Sequence, residues 1–165
     1  MPAPNLNHLR LFGHLLCPFV ERVRLVLSAQ GLPYQDVQVN LEKRARWHYS
    51  MNGGFVPILE TPEKGGKYGR RKAWILESRI IMDYLDREFS SMAQCGSLYD
   101  DDALNRSVQE MLMAKTDQLA SVLYIVLMSR SQEPNSMAQM IKVLEYMNLE
   151  LSRSSTDFFL SKETY

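Results

Sequence analysis

The apolar positions of this chain change their period about halfway along it. Leu9-Arg10-Leu11-Phe12 is short and apolar, is punctuated by Gly13, and reads as a buried strand. After Pro18, Phe19, Val23, Val26 and Leu27 recur at i, i+4, i+7 and i+8, with Glu21, Arg22 and Arg24 on the other side. That spacing predicts an amphipathic helix. Pro18 suits its first turn, where a missing N–H costs nothing, and Gly31 stops it. Residues 34–39 alternate, with Val37 and Val39 on one face, and predict a second strand. The charged stretch 42–47 is expected as a short helix or exposed turn, and Asn52-Gly53-Gly54 as a loop. Residues 55–59 form a third strand with Pro57 near its start. Gly65, Gly66 and Gly69 mark a loose turn, 73–76 a fourth strand. Glu77-Ser78 then opens a helix whose apolar face is Ile80, Ile81, Tyr84 and Leu85, running to about Phe89.

Beyond Ser90 no strand pattern remains. Residues 91–97 are linker-like and contain Gly96. Residues 101–129 keep helical spacing through Leu104, Val108, Met111, Leu112, Leu119, Val122, Leu123 and Val126. Residues 132–135 make a turn, and 137–151 resume the helical period through Met140, Ile141, Leu144, Met147 and Leu151. The order is thus β-α-β-α-β-β-α followed by an antiparallel helix pair. The expected domains are 1–90 (α/β), 91–98 (linker) and 99–165 (all-α). Most of the ten methionines lie in the later helices and read as flexible core filling.

Composition narrows the function classes. In 165 residues, 19 basic side chains balance 19 acidic ones, which removes the electrostatic argument for nucleic-acid or acidic-membrane binding. Two cysteines cannot form a dense disulfide framework, so a reducing compartment is expected. No segment approaches the ~20 apolar residues needed to span a bilayer. Residues 11–20 are interrupted by Gly13, His14 and Pro18 and do not read as a signal peptide. The expectation is a cytoplasmic protein without stable membrane insertion.

Three features carry chemistry. Cys17 lies between a strand end and a helix start, where unpaired N–H groups carry partial positive charge and favour a thiolate. A dithiol oxidoreductase would read Cys-x-x-Cys. Here the run is Cys17-Pro18-Phe19-Val20, so an external thiol must discharge any mixed disulfide on Cys17; Cys95, in the linker, is a poor candidate. Val56-Pro57 is the second feature. A proline at a strand edge can be cis, leaving the Val56 N–H and C=O free to pair with an extended peptide. The third is Glu77-Ser78, whose carboxylate, hydroxyl and helix-start N–H groups together suit an α-amino-acid end. His8, His14 and His48 are scattered and form no convincing ligand set with the cysteines, so no metal is expected. Arg70-Arg71-Lys72 reads as a solvated turn.

These features, in this order, resemble the thioredoxin-like half of cytosolic glutathione transferases. The omega class is the best match, since its reactive residue is a cysteine in a Cys-Pro-Phe motif. The resemblance continues through residues 21–27, Asn40-Leu41, Trp47, Val56-Pro57-Ile58-Leu59-Glu60 and Glu77-Ser78. It implies a thioredoxin-like N-terminal domain (βαβαββα) and an all-α C-terminal domain. That second domain is expected to be incomplete, because family members continue past the equivalent of Tyr165, and Phe158-Phe159 resembles the segment before a further helix. The resemblance also implies a glutathione site. Cys17 would be the catalytic nucleophile facing the glutathione sulfur, with Phe19 beside it. The Val56 backbone, ahead of Pro57, would pair with the cysteinyl unit, and Glu77 and Ser78 would hold the γ-glutamyl end. Arg44, near Leu41, would meet the glycine carboxylate, a role a guanidinium can fill bidentately. The segment 61–72 is longer and more basic than the family pattern, and Asn52-Gly53-Gly54 lacks its usual proline.

The implied function is a glutathione-dependent thioltransferase or dehydroascorbate reductase, a redox and detoxification enzyme working as a homodimer. Its partners would be glutathione and a small electrophile, a disulfide or dehydroascorbate. The alternative is a non-catalytic glutathione- or ligand-binding protein on the same fold. A kinship with chloride intracellular channels, which share Cys-Pro-Phe, is disfavoured by the charges at Glu21, Arg22 and Arg24.

Overall fold

The computed structural model describes residues 8–62, 64–66, 69–71, 73–93, 95–128 and 135–153. By internal contacts the chain divides into two compact units, Met1–Leu98 and Tyr99–Tyr165.

The first unit is a four-stranded mixed sheet with helices on both faces. Its strands are β1 (Leu9–Gly13), β2 (Tyr34–Gln38), β3 (Ile58–Glu60) and, after a small hairpin, β6 (Trp74–Leu76), in spatial order β2-β1-β3-β6. β1 and β2 are parallel; β3 runs antiparallel to both β1 and β6. Side-chain alternation sorts β1 between two cores. Leu9 and Leu11 pack with Leu59 against Val20, Val23 and Leu27 of helix α1 (Pro18–Ala29) and Ile81 and Leu85 of helix α3 (Ser78–Phe89). Phe12 and Ile58 face the other way, toward Leu41, Trp47, Met51 and Trp74, beside helix α2 (Arg46–Asn52). Phe12 meets Trp47 edge-on at 5.4 Å and Trp74 at 5.5 Å between ring centroids.

On that second face the sheet also buries a charge pair. Arg10 (0 % exposed) donates from Nη1 to Glu60 Oε2 (2 % exposed) at 3.0 Å, across directly paired positions of β1 and β3. A second polar knot sits at Asp86 on α3. Its carboxylate accepts from Gln30 Nε2 (3.1 Å), Ser97 Oγ (2.7 Å) and the Leu98 N–H (2.7 Å). This ties the end of α1 and residues 97–98 to α3.

Of the two forms expected over 42–47, residues 42–45 take the exposed turn and helix α2 begins at Arg46. Asn40 Oδ1 accepts the Glu42 and Lys43 N–H groups at 2.9 and 2.8 Å, holding that stretch as a turn. The third strand is shorter than 55–59. The loose glycine turn contains a hairpin of β4 (Lys64–Gly66) and β5 (Gly69–Arg71), with Gly66 opposite Gly69. The side chains of Arg70-Arg71-Lys72 lie outside the described residues.

The second unit contains helices α4 (Ala103–Met128) and α5 (Ser136–Arg153), packed on each other. α4 starts later than residue 101 because Asp102 caps it: Oδ1 accepts the Leu104 and Asn105 N–H groups at 3.0 and 2.9 Å. Most of the expected turn at 132–135, and Phe158-Phe159, lie outside the described residues.

Candidate functional site

Cys17 is the N-cap of α1, with φ −90° and ψ 115° and Pro18 as the first helical residue. Its carbonyl accepts the Val20 and Glu21 N–H groups at 3.1 and 3.0 Å, and its own N–H donates to the His14 carbonyl at 3.1 Å. Gly13 permits this close junction of strand and helix. A Cβ there would lie 2.4 Å from Val20 Cγ1, so any larger residue would force the Val20 side chain or the helix carrying it to shift. The Cys17 thiol is free and partly exposed. The His14 ring is engaged locally, Nδ1 accepting the Leu16 N–H at 3.3 Å. Cys95 is also a free thiol; it lies beyond α3, its Sγ 3.5 Å from the Gly96 carbonyl.

The sheet register carries the other two features to the same end of the fold. Phe12 pairs with Ile58 and Ile58 pairs with Leu76. One step beyond these pairs lie Gly13 with the loop to Cys17, Pro57 preceded by Val56, and Glu77 followed by Ser78. Val56-Pro57 is cis. Neither the Val56 N–H nor its C=O has a hydrogen-bond partner among the described residues. Glu77 has φ +66°, a left-handed conformation uncommon outside glycine, and its exposed side chain makes no capping bond. Ser78, buried, begins α3, where the first N–H groups have no partner within the helix.

β2 is parallel to β1 and ends beside it, the Val39 N–H donating to the Gly13 carbonyl at 2.9 Å. The segment that follows carries Leu41 and Arg44 past the same edge. Arg44 Nε donates to the Leu41 carbonyl at 3.1 Å, and its guanidinium stands 5.8 Å from the Phe55 ring centroid. Gly54 (φ +78°) makes the space: a Cβ there would sit 2.5 Å from Arg44 Cδ. Phe19, the second residue of α1, is partly buried, with the Arg22 guanidinium 5.1 Å from its ring centroid. The fold therefore gathers Cys17, Val56, Pro57, Glu77, Ser78 and the Leu41–Arg44 turn at one end of one sheet. It offers a thiol at a helix start, the unpaired Val56 N–H and C=O, a carboxylate beside helix-start N–H groups, and a guanidinium.

One residue of this region escaped the sequence reading. His48, 1 % exposed, places Nε2 2.8 Å from the Phe55 carbonyl oxygen. Its partner is a backbone atom, which leaves no mark in the sequence. Among the described residues no group of three or more His, Cys, Asp or Glu is arranged to hold a metal ion. Nor, among them, is any helix long and apolar enough to cross a membrane.

Comparison with known proteins bears on the same segment. The family described as glutathione S-transferase, N-terminal domain, matches residues 11–93. Pyrimidodiazepine synthase of Drosophila melanogaster is 27% identical over 163 residues, 98% of this chain and 61% of its own length. Glutathione S-transferase omega-2 of Homo sapiens is 29% identical over 164 residues, 96% of this chain and 61% of its own length. This chain thus spans about three-fifths of these curated relatives. The solved structure of glutathione transferase Omega 3C from Trametes versicolor superposes with a TM-score of 0.69 at 22% identity, covering 98% of this chain and 67% of that one.

Proposed function

The chain belongs to the glutathione S-transferase family and is omega-like, and from that premise we propose that its α/β half binds glutathione and that Cys17 exchanges thiols with it. The observation carrying this reading is the convergence of the Cys17, Val56-Pro57 and Glu77-Ser78 segments at one end of the sheet. In this reading residues 1–90 are the glutathione-binding domain, 91–98 the linker and 99–165 the helical domain. The cysteinyl backbone of glutathione pairs with Val56, held ahead of Pro57. Glu77 and Ser78 take the γ-glutamyl ammonium and carboxylate. Arg44, beside Leu41, takes the glycine carboxylate, and Phe19 borders the sulfur.

The Cys17 thiolate attacks the glutathione sulfur of a mixed disulfide. The Cys17–glutathione S–S bond forms, the old S–S bond breaks, and the released thiolate takes up a proton. A second glutathione thiolate then attacks the sulfur of the glutathione bound to Cys17, giving oxidised glutathione and regenerating the Cys17 thiolate. Dehydroascorbate accepts the same two electrons, with two protons, from two glutathiones. Val20 stands where a resolving cysteine would, which makes the second glutathione obligatory. The enzyme so described is a cytoplasmic homodimer of redox and detoxification chemistry. The Cys17→Ser variant should fall to the uncatalysed background in an assay of glutathione mixed-disulfide reduction. Full activity in that variant would refute the mechanism.

A second reading draws on the exposed apolar side chains of α4 and α5, Leu104, Leu127 and Leu144 among them. In it the chain holds glutathione or an apolar ligand without turnover. Glutathione binding with no exchange activity distinguishes it from the first.

A further inference from the structure

We propose that His48 is a positioning residue for glutathione, aiming the Val56 N–H by fixing the carbonyl on the other side of the same peptide bond. The proposal rests on the glutathione-binding reading above and deepens it. The Phe55 carbonyl and the Val56 N–H belong to one peptide unit. That unit is planar, and in its trans form the C=O and N–H point in opposite directions. Val56-Pro57 is the cis peptide among the described residues, so the Phe55–Val56 peptide is trans. Whatever holds the Phe55 oxygen therefore sets the direction of the Val56 hydrogen.

The hold is built chiefly from His48. Its Nε2 lies 2.8 Å from the Phe55 oxygen, a good hydrogen-bond length, and the Asn52 amide adds a longer bond at 3.3 Å. Nε2 must carry the proton to donate to a carbonyl. Nδ1 is then an acceptor, and it is buried without a partner among the described residues. Among the described residues no other hydrogen bond to the ring competes with the Phe55 carbonyl. The His48 backbone carbonyl meanwhile accepts the N–H groups of Gly53, which caps α2, and Gly54, at 3.3 Å. The Phe55 N–H returns to the Asn52 carbonyl at 2.8 Å. One buried residue thus grips the loop 52–55 from its carbonyl and from its ring. The polar group left unsatisfied at the far side of this grip is the Val56 N–H, the group a bound peptide would meet.

The test compares the wild-type chain with His48→Phe, which keeps an aromatic volume without a donor, and His48→Gln, whose amide reaches as far as Nε2. Each is titrated calorimetrically with reduced glutathione. Alkylation of Cys17 by iodoacetamide without glutathione is timed in parallel. His48→Phe should bind about tenfold more weakly, the scale of a lost hydrogen bond plus the misdirected group it leaves. His48→Gln should stay within about threefold of wild type on the same scale. Alkylation without glutathione should be equal in all three. Unchanged affinity in His48→Phe overturns the proposal while leaving the site reading intact. So does equal weakening in both variants accompanied by altered alkylation, the mark of a merely structural residue. A wild-type chain that does not bind glutathione overturns both the site reading and this one. If His48→Phe fails to fold, His48→Asn replaces it, since its amide is too short to reach Phe55. His48→Asn must then bind more weakly than His48→Gln, and equal affinities reject the proposal.

Discussion

Both halves of the chain carry helical apolar spacing, but their apolar positions are buried to different degrees. In the sheet unit, Leu11, Phe12, Val20, Val23, Leu27, Ile58, Leu59, Ile81 and Leu85 are fully shielded. In α4 and α5, Ala120 and Val126 are the buried apolar residues among those described, while Leu104, Leu123, Leu127, Ile141 and Leu144 stand exposed. Periodicity reports which side of an element is apolar. It does not report what covers that side. In the sheet unit the apolar residues between sheet and helices are covered, by α1 and α3 on one face and the α2 region on the other, while Leu15, Leu16, Leu25 and Ile80 stand exposed. The stability of the two halves should therefore respond differently to substitution.

The largest effect should come from the buried ion pair. Glu60→Ala leaves the Arg10 guanidinium without that carboxylate in a dry layer, and urea denaturation should show a loss of about 3–5 kcal/mol. A loss below about 1 kcal/mol, the range of exposed pairs, would show that the pair is solvated. Next, Leu11→Ala or Leu59→Ala should cost about 2–5 kcal/mol by the same measurement, as buried leucines with closely packed neighbours do. Gly13→Ala should follow at about 1–3 kcal/mol, because its Cβ has no room beside Val20. That variant should also slow thiol exchange, since the shift falls on the strand–helix junction holding Cys17. At the small end, Leu144→Ala or Leu104→Ala should change stability by no more than about 0.5 kcal/mol. Replacing Ile141 and Leu144 by lysine should instead reduce concentration-dependent self-association in sedimentation velocity, because an exposed apolar face is what drives it. A large stability loss at Leu144 would erase the contrast between the halves.

Much of the sheet unit was legible because its signals are local. The strand–Pro18 junction, the α1 spacing and the Glu77-Ser78 start of α3 each depend on a few neighbouring residues, and all three are where the pattern put them. What escaped depends on distant partners or on turn chemistry. The Arg10–Glu60 pair joins residues fifty positions apart, and no local pattern links them. His48 reads as a stray histidine because a backbone carbonyl holds it. The β4–β5 hairpin is hidden by glycines, which carry no strand preference. Between the helix and the turn expected over 42–47, Asn40 favours the turn by taking two N–H groups, a competition that charge patterning does not resolve. The candidate site was legible as three separate motifs. Their meeting at one end of the sheet required the register of β1, β3 and β6.

The most direct measurement is the rate of Cys17 alkylation by iodoacetamide, followed by mass spectrometry at that residue, with and without glutathione. Of the two thiols, Cys17 alone should label rapidly, and glutathione should slow that labelling strongly while leaving Cys95 labelling unaffected. Labelling of Cys17 that is as slow as that of an ordinary thiol, and indifferent to glutathione, would contradict it.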